Sequence, residues 1–462
     1  MKTKLEYDVV IIGGGPAGAL AAIAAGRNNA RTLLVEQYGY LGGALTACGT
    51  GPQMTYHAGS TQVVRGIPDE LVKRMIKEGF SPGHMEDFAG YASSVTPFDA
   101  EGLKLVLENM VREAGVEILY HTVYTGCETE CGKIKSVKLY SKNGFFNAAA
   151  GVFIDASADA DLAVHAGVDA VYGEEGSGLA QPMTMNMKLY GVDRDAVIDF
   201  VINNKNDMLP AIPFEKLRLI PRTGIQGGYS VIRKARDEGR FTVDRGWLLC
   251  FETNNPGEFI INMSRMAGKS AVDAFDLSAA EMEGRRQCYE LFRFLKDDVP
   301  GFKNARIHST GPNIGIRESR KINGVYKLTA KDLVNNTMFD DAVAMGGYPI
   351  DIHPVDGKEP APEVAFDMGE YTLRKGSWYS IPYRSLIAYK AENLVVTGRC
   401  ISVSHEALGA VRVTPLAMAL GQAAGTAAAL AARTGGSTLE LDTAKLREAL
   451  IHDGAFLETY AG

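Results

Sequence analysis

Two sets of residues in this chain have the types and spacing to do chemistry. The first is Gly13, Gly15 and Gly18, with Pro16 and Ala17 between the last two, in the pattern G-x-G-x-x-G. Such a turn cradles phosphate. Its first glycine allows a tight turn, its second lets a pyrophosphate approach the backbone, and its third lets a helix pack close to a strand. Glu36, 18 residues beyond Gly18, is spaced to accept hydrogen bonds from a ribose diol. The second set is Arg317, Arg320, His353, Tyr383, Arg384 and His405. Arginines hold planar carboxylates through paired hydrogen bonds, and a histidine can deliver or accept a proton. Arg317 and Arg320 lie three apart, so a helix would put them on one face.

These residues need elements to position them. Residues 7–12 are a short, largely β-branched run, the mark of a strand buried on both faces, and the glycine turn follows at once. An Ala-rich helical stretch runs from 19 to about 28, and a second strand, 31–36, ends on Glu36. Residues 101–114 show helical spacing and Gly115 breaks them before a strand at 116–120. The runs 134–139 and 151–155 read as a β-meander feeding back to a parallel sheet. Asp155 then ends a strand at the carboxyl edge, where open α/β sheets bind ligands. From 169 to 378 turn residues are frequent and no βαβ alternation is clear; a strand returns at 393–398. Residues 411–415 open a long helix through Ala432, with Pro415 near its first turn, where proline is tolerated.

Beyond Glu36 come Gln37 and, a few residues on, Gly42-Gly43. An acid followed by such a pair resembles the FAD-dependent oxidoreductases of the glutathione-reductase-like superfamily, in which this segment passes along the flavin's ribityl chain and pyrophosphate. Residues 42–46, 153–161, 316–322, 348–353, 381–384 and 394–399 resemble one branch of it, the FAD-dependent oxidoreductase family, over nearly the whole chain. The resemblance implies bound FAD, with adenine near Val123 and cofactor contacts at Gly398 and Arg399. It also implies a fold: an α/β Rossmann-like FAD-binding domain of residues 1–168 and 379–462, its parallel sheet carrying a β-meander, with an α+β substrate domain of residues 169–378 inserted. The N-terminus of the long helix would then stabilise negative charge near flavin N1 and C2=O, which makes Val411, Val413 and Thr414 candidate flavin contacts.

Composition narrows the function. The chain has 462 residues, with 48 Lys plus Arg against 55 Asp plus Glu, a net charge of −7. That balance argues against nucleic-acid binding. Six cysteines (48, 127, 131, 250, 288 and 400) read as reduced thiols of a cytoplasmic protein. Cys48 matches neither position of the redox pair of disulfide reductases, and Cys127 and Cys131 have no second pair at zinc-ligand spacing, so no metal is expected. No signal-peptide layout opens the chain, and the apolar stretch 416–432, interrupted by Gln422, reads as a core helix rather than a membrane span. No second strand–G-x-G-x-x-G–helix unit appears, since the glycines of 173–178 follow another pattern. A dedicated NAD(P)H site is therefore not expected. The expectation is an FAD-dependent dehydrogenase or reductase passing a hydride between flavin N5 and a carbon of a small, anionic organic substrate. Its electrons would come from that substrate or a redox partner protein. The alternatives are an oxygen-using oxidase or monooxygenase, and a non-redox flavoprotein or complex subunit with structural FAD.

Overall fold

The computed structural model describes residues 5–209, 213–358 and 369–460; the first four residues of the N-terminal stretch lie outside them. Strand β1 (Leu5–Ile12) buries its last four residues completely or nearly so, as a central parallel strand must. Helix α1 (Pro16–Arg27) starts at the glycine turn and buries every residue from Ala17 to Ala25. Strand β2 (Thr32–Val35), helix α2 (Ala100–Glu113) and strand β3 (Glu117–Leu119) follow. Then β4 (Val123–Glu130), β5 (Lys133–Ser141) and β6 (Gly144–Asp155) form a three-stranded meander. The order β3-β2-β1-β6 is parallel throughout. Strand β6 is long enough to serve twice: its first half pairs antiparallel with β5, and its last residues run parallel to β1, with Ile12 opposite Asp155.

The middle of the chain builds a second sheet. After β7 (Ala170–Tyr172) come β8 (Met187–Tyr190), β9 (Gly224–Gly227), β10 (Leu248–Glu252) and β11 (Phe259–Ile261). Helix α3 (Ala274–Asp298) and β12 (Arg306–Thr310) complete it. The order β9-β10-β11-β8-β12 is antiparallel at every pairing. Its apolar face meets α3 in a core of its own, with Phe241, Phe259, Phe294 and Phe302 buried. Strand β13 (Arg320–Ile322) pairs with β7. Arg320 thus opens a strand and Arg317 lies in the preceding loop, so the helical face expected for them does not form: β-pairing to 170–172 overrides local spacing.

The chain returns at β14 (Leu394–Val396), parallel to the end of β6. Helix α4 (His405–Val411) and helix α5 (Thr414–Arg433) follow, and a last helix, Thr443–His452, packs against α5. By length and hydropathy α5 could cross a membrane, but 83% of its apolar window is buried inside the fold. It packs along α1 through Gly421 and Gly425, which sit on the carbonyls of Ala17 and Ala21. Small residues let two helix backbones approach where larger ones would hold them apart. Both helices therefore begin at the same edge of the parallel sheet.

Candidate active site

At that edge lies a cleft of about 990 Å³, the size expected of a ligand site. One wall is the β1–α1 turn with Gly13, Gly15, Pro16 and Ala17, followed by Glu36, Gln37 and Gly43. Val123, Gly398, Arg399, Val413 and Thr414 also line it. Gly13 has φ +102°, and a Cβ there would meet Ala156 O at 2.4 Å, so only glycine serves. Above Gly15 a Cβ would find only Gly43 Cα, at 3.9 Å: the turn leaves the opening that a pyrophosphate needs. Neither α1 nor α5 has a side-chain cap or an acid in its first turn. Two sets of free backbone N–H groups and two positive dipole ends thus face one cleft.

Glu36 is 6% exposed and accepts from Gly14 N at 2.7 Å and Tyr38 N at 2.8 Å. Burial pushes its carboxyl above the usual range against those backbone bonds. Its remaining lone pairs can take ribose hydroxyls. The residues present therefore fit FAD.

Four cofactor candidates stand behind the wall rather than on it. Gly18 packs on Gly13, where a Cβ would lie 1.8 Å from its carbonyl, and Gly42 turns the chain at φ +107°. Val411 is fully buried. Asp155 is fully buried too, and accepts from Ser157 N at 3.0 Å, Ser157 Oγ at 2.6 Å and Ala163 N at 2.9 Å. It shapes the 156–159 turn, which does line the cleft.

Arg320 and Arg399 clamp that turn. Arg320 Nε donates to Asp159 O at 2.7 Å and its Nη2 bonds Asp161, while Arg399 Nη2 donates to Asp159 Oδ1 at 2.6 Å. Burial, with Asp159 and Asp155 nearby, pushes the Asp161 carboxyl up to about 6. Arg320 is thus committed to the Asp159 carbonyl and the Asp161 carboxylate.

The far end of the cleft gathers positive charge. Arg245, Arg317 and Arg412 line it with Asp351, His353, Tyr91 and Tyr348. Arg317 Nη1 donates to Pro182 O at 2.5 Å. Burial, then Arg412 and Arg265, push its guanidinium down to about 9, against the pull of Asp351; it stays charged at neutral pH, but that charge is costly. Arg412 Nη2 donates to Asp351 O at 2.9 Å and approaches Asp351 Oδ2 at 3.3 Å. Burial and the guanidiniums of Arg317, Arg412, Arg265 and Arg245 hold the His353 imidazole well below its ordinary value, so it is neutral. Its Nε2 lies 3.7 Å from Asp351 Oδ1, too far for a hydrogen bond.

Sequence reasoning missed Arg245, Arg265, Arg412 and Tyr91. Arg412 sits inside the helix-opening run 411–415, where attention went to backbone N–H groups. Arg245 and Arg265 carry no motif; only the β9-β10-β11 sheet brings them in.

Three expected catalytic residues are elsewhere. His405 is 6% exposed and its Nδ1 lies 2.9 Å from Glu318, whose carboxylate also takes Lys321 Nζ at 2.5 Å. Burial alone would raise Glu318, but His405 and Lys321 hold it below the carboxylate range. Tyr383 is buried in the core and donates to Thr438 O at 3.0 Å. Arg384 grips Asp341 at 2.9 and 3.1 Å on the surface, over the Tyr326 ring. None of the three lines the cleft among the residues that do. Cys48 does line it, and burial pushes its thiol up to about 12, so it is protonated and unsuited to attack as thiolate.

A parallel sheet with a glycine turn, a ribose acid and two helix N-termini on one cleft defines a nucleotide-binding flavoenzyme. The chain belongs to the FAD dependent oxidoreductase family, whose pattern it matches over residues 8–450. It is an oxidoreductase with FAD as cofactor. A ferredoxin–NADP reductase of Levilactobacillus brevis is 56% identical over 41 residues, 9% of this chain and 12% of that protein. A thiamine thiazole synthase of Aeropyrum pernix is 49% identical over 45 residues, 10% of this chain and 17% of that one. The chain thus spans less than a fifth of these curated relatives. A geranylgeranyl bacteriochlorophyll reductase-like protein from Thermoplasma acidophilum has a similar structure at 14% identity, covering 98% of this chain and 85% of that one, with a TM-score of 0.45.

Proposed function

We propose that the protein is an FAD-dependent dehydrogenase or reductase of a small organic anion, with residues 169–378 supplying the substrate domain. One observation carries this reading: Arg317, whose buried charge is costly, stands beside neutral His353 in the same cleft as the phosphate turn. Bound FAD supplies the two-electron step, as hydride acceptor or donor at N5. Arg317 and Arg412 orient a carboxylate of the substrate, and Asp351 positions Arg412 by accepting from it. Neutral His353 takes a proton from a substrate hydroxyl or amine, or returns it in the reverse direction. The guanidiniums that keep it neutral also keep it from holding that proton for long. The free N–H groups at the start of α5 offer a place for negative charge in the cleft.

The test is anaerobic. FAD-loaded protein is mixed with organic acids, then with NADH and NADPH, while the flavin absorbance is followed. Bleaching by an organic acid, lost in Arg317→Gln with FAD retained, is the expected result. In a parallel aerobic assay, turnover that consumes oxygen in step with the substrate would move the protein to the oxidases and monooxygenases. A flavin that no acid or nicotinamide reduces would overturn the reading.

A further inference from the structure

The cleft does not end at the arginines. A second cavity of about 340 Å³ opens beside it, lined by Leu209, Pro349, Ile350, Tyr371 and Leu373. Ala89, Tyr91 and Gln226 belong to the walls of both cavities. That shared wall is firmly built. Buried Asp87 accepts the N–H groups of Ala89, Tyr91 and Ala92 at 3.1, 3.0 and 2.9 Å, which fixes the loop whose Ala89 and Tyr91 line both spaces. The Tyr91 ring meets Tyr348 edge to face at 5.8 Å. The Tyr91 phenol hydrogen-bonds Asp351, the carboxylate that braces Arg412, and the Tyr348 hydroxyl lies 3.5 Å from its Oδ2. Tyr91 therefore stands where the cationic space and the apolar space meet, its ring packed on Tyr348 and its hydroxyl toward Asp351.

We infer that the side cavity receives the apolar tail of the substrate whose anionic group lies among the arginines, so that the substrate class is an amphipathic organic acid. The inference rests on the anion-binding reading of Arg317 and Arg412. A charged head needs the guanidiniums, and a lining in which Leu209, Pro349, Ile350 and Leu373 stand beside only Gln226, Thr372 and two tyrosines as polar side chains favours hydrocarbon. Each methylene buried there is worth about 0.8 kcal/mol, about fourfold in Kd.

The experiment is calorimetric titration of the FAD-loaded protein with straight-chain carboxylates from acetate to decanoate, which needs no turnover. Kd should fall about fourfold per methylene until the cavity is filled. Leu209→Gln and Leu373→Gln, both at partly exposed positions that tolerate polarity, should flatten that dependence and leave acetate binding unchanged. Leu373→Trp, which fills the cavity without adding polarity, should do the same. Carboxylates that bind through Arg317 with a Kd independent of length would overturn the tail site and leave the anion reading standing. Failure of every carboxylate to bind, with Arg317→Gln behaving as wild type, would overturn both.

Discussion

The contact between α1 and α5 sets the two helix N-termini in place, and two glycines allow a clean test. A Cβ at Gly421 would lie 2.1 Å from Ala17 O, and one at Gly425 would lie 2.1 Å from Ala21 O. Both obstacles are backbone, so the helices would have to part by roughly 1 Å to restore ordinary contact. Overpacking of this kind costs about 3 kcal/mol at the upper end, and replacing a helical glycine by alanine returns about 1. Gly421→Ala and Gly425→Ala should therefore each destabilise the apoprotein by about 2 kcal/mol, read from urea unfolding midpoints. Their effects on the cofactor should differ. Ala17 lines the cleft in the first turn of α1, whereas Ala21 lies one turn further from it. Displacing one charge-assisted N–H contact with phosphate costs about 1.5–3 kcal/mol, so Gly421→Ala should weaken FAD about 10- to 100-fold. Gly425→Ala should change it only slightly. Flavin fluorescence during titration of apoprotein gives the Kd. Equal FAD loss in both variants, or wild-type stability in either, would refute the idea that this contact positions the phosphate turn.

Glu36→Gln should weaken FAD binding about tenfold, because a charged acceptor to ribose becomes neutral at a cost of about 1.5 kcal/mol; an unchanged Kd would remove Glu36 from the site. The kcat/KM profile should show no inflection near the ordinary histidine value of about 6.5, because His353 is held well below it. Arg412→Gln removes a neighbouring positive charge, makes the imidazolium cheaper and should bring an inflection up into the measured range; a wild-type inflection near 6.5 would contradict the assignment. Glu318→Gln strands Lys321 in the core and should cost about 3–5 kcal/mol in stability. Arg384→Ala removes the exposed half of a pair whose Asp341 is buried, and should cost about 1–3 kcal/mol while leaving turnover untouched.

The nucleotide end was legible because its information is local and carried by backbone. A turn that only glycine can make, a strand before it and an acid at fixed distance leave few alternatives, and Gly13, Gly15 and Glu36 stand at the cleft as that pattern requires. Two strands of the meander were legible for the same reason, in the runs 134–139 and 151–155, whereas its first strand, Val123–Glu130, was not. The substrate end was not legible. Arg317 and His353 were visible as residue types, but what makes them a pair is the company of Arg412, 95 residues from Arg317 in sequence, and of arginines from the second sheet. Tyr383, Arg384 and His405 looked equally polar on paper. Their partners Thr438, Asp341 and Glu318 are set by tertiary contacts, and each partner satisfies its residue away from the cleft.

That gathering of charge has a thermodynamic consequence. Arg245 is 4% exposed and Arg265 8%, and with Arg317 and Arg412 they surround one neutral imidazole in a chain whose net charge is −7. Bringing cations out of water costs several kcal/mol each unless partners repay it. At Arg317 the repayment is incomplete, because burial and its neighbours still push its guanidinium down to about 9. An anion in the cleft would supply what is missing, so substrate binding and folding should be linked through this residue. Arg317→Gln should then raise the unfolding midpoint in buffer of weakly binding anions, the reverse of what removing an ordinary buried partner does. Wild type should overtake it as carboxylate is added, gaining about 2.7 kcal/mol at a hundred times its Kd, while the variant gains almost nothing. A variant less stable than wild type without anion, and equally stabilised with it, would mean that Arg317 is a structural residue and not the seat of the substrate's charge.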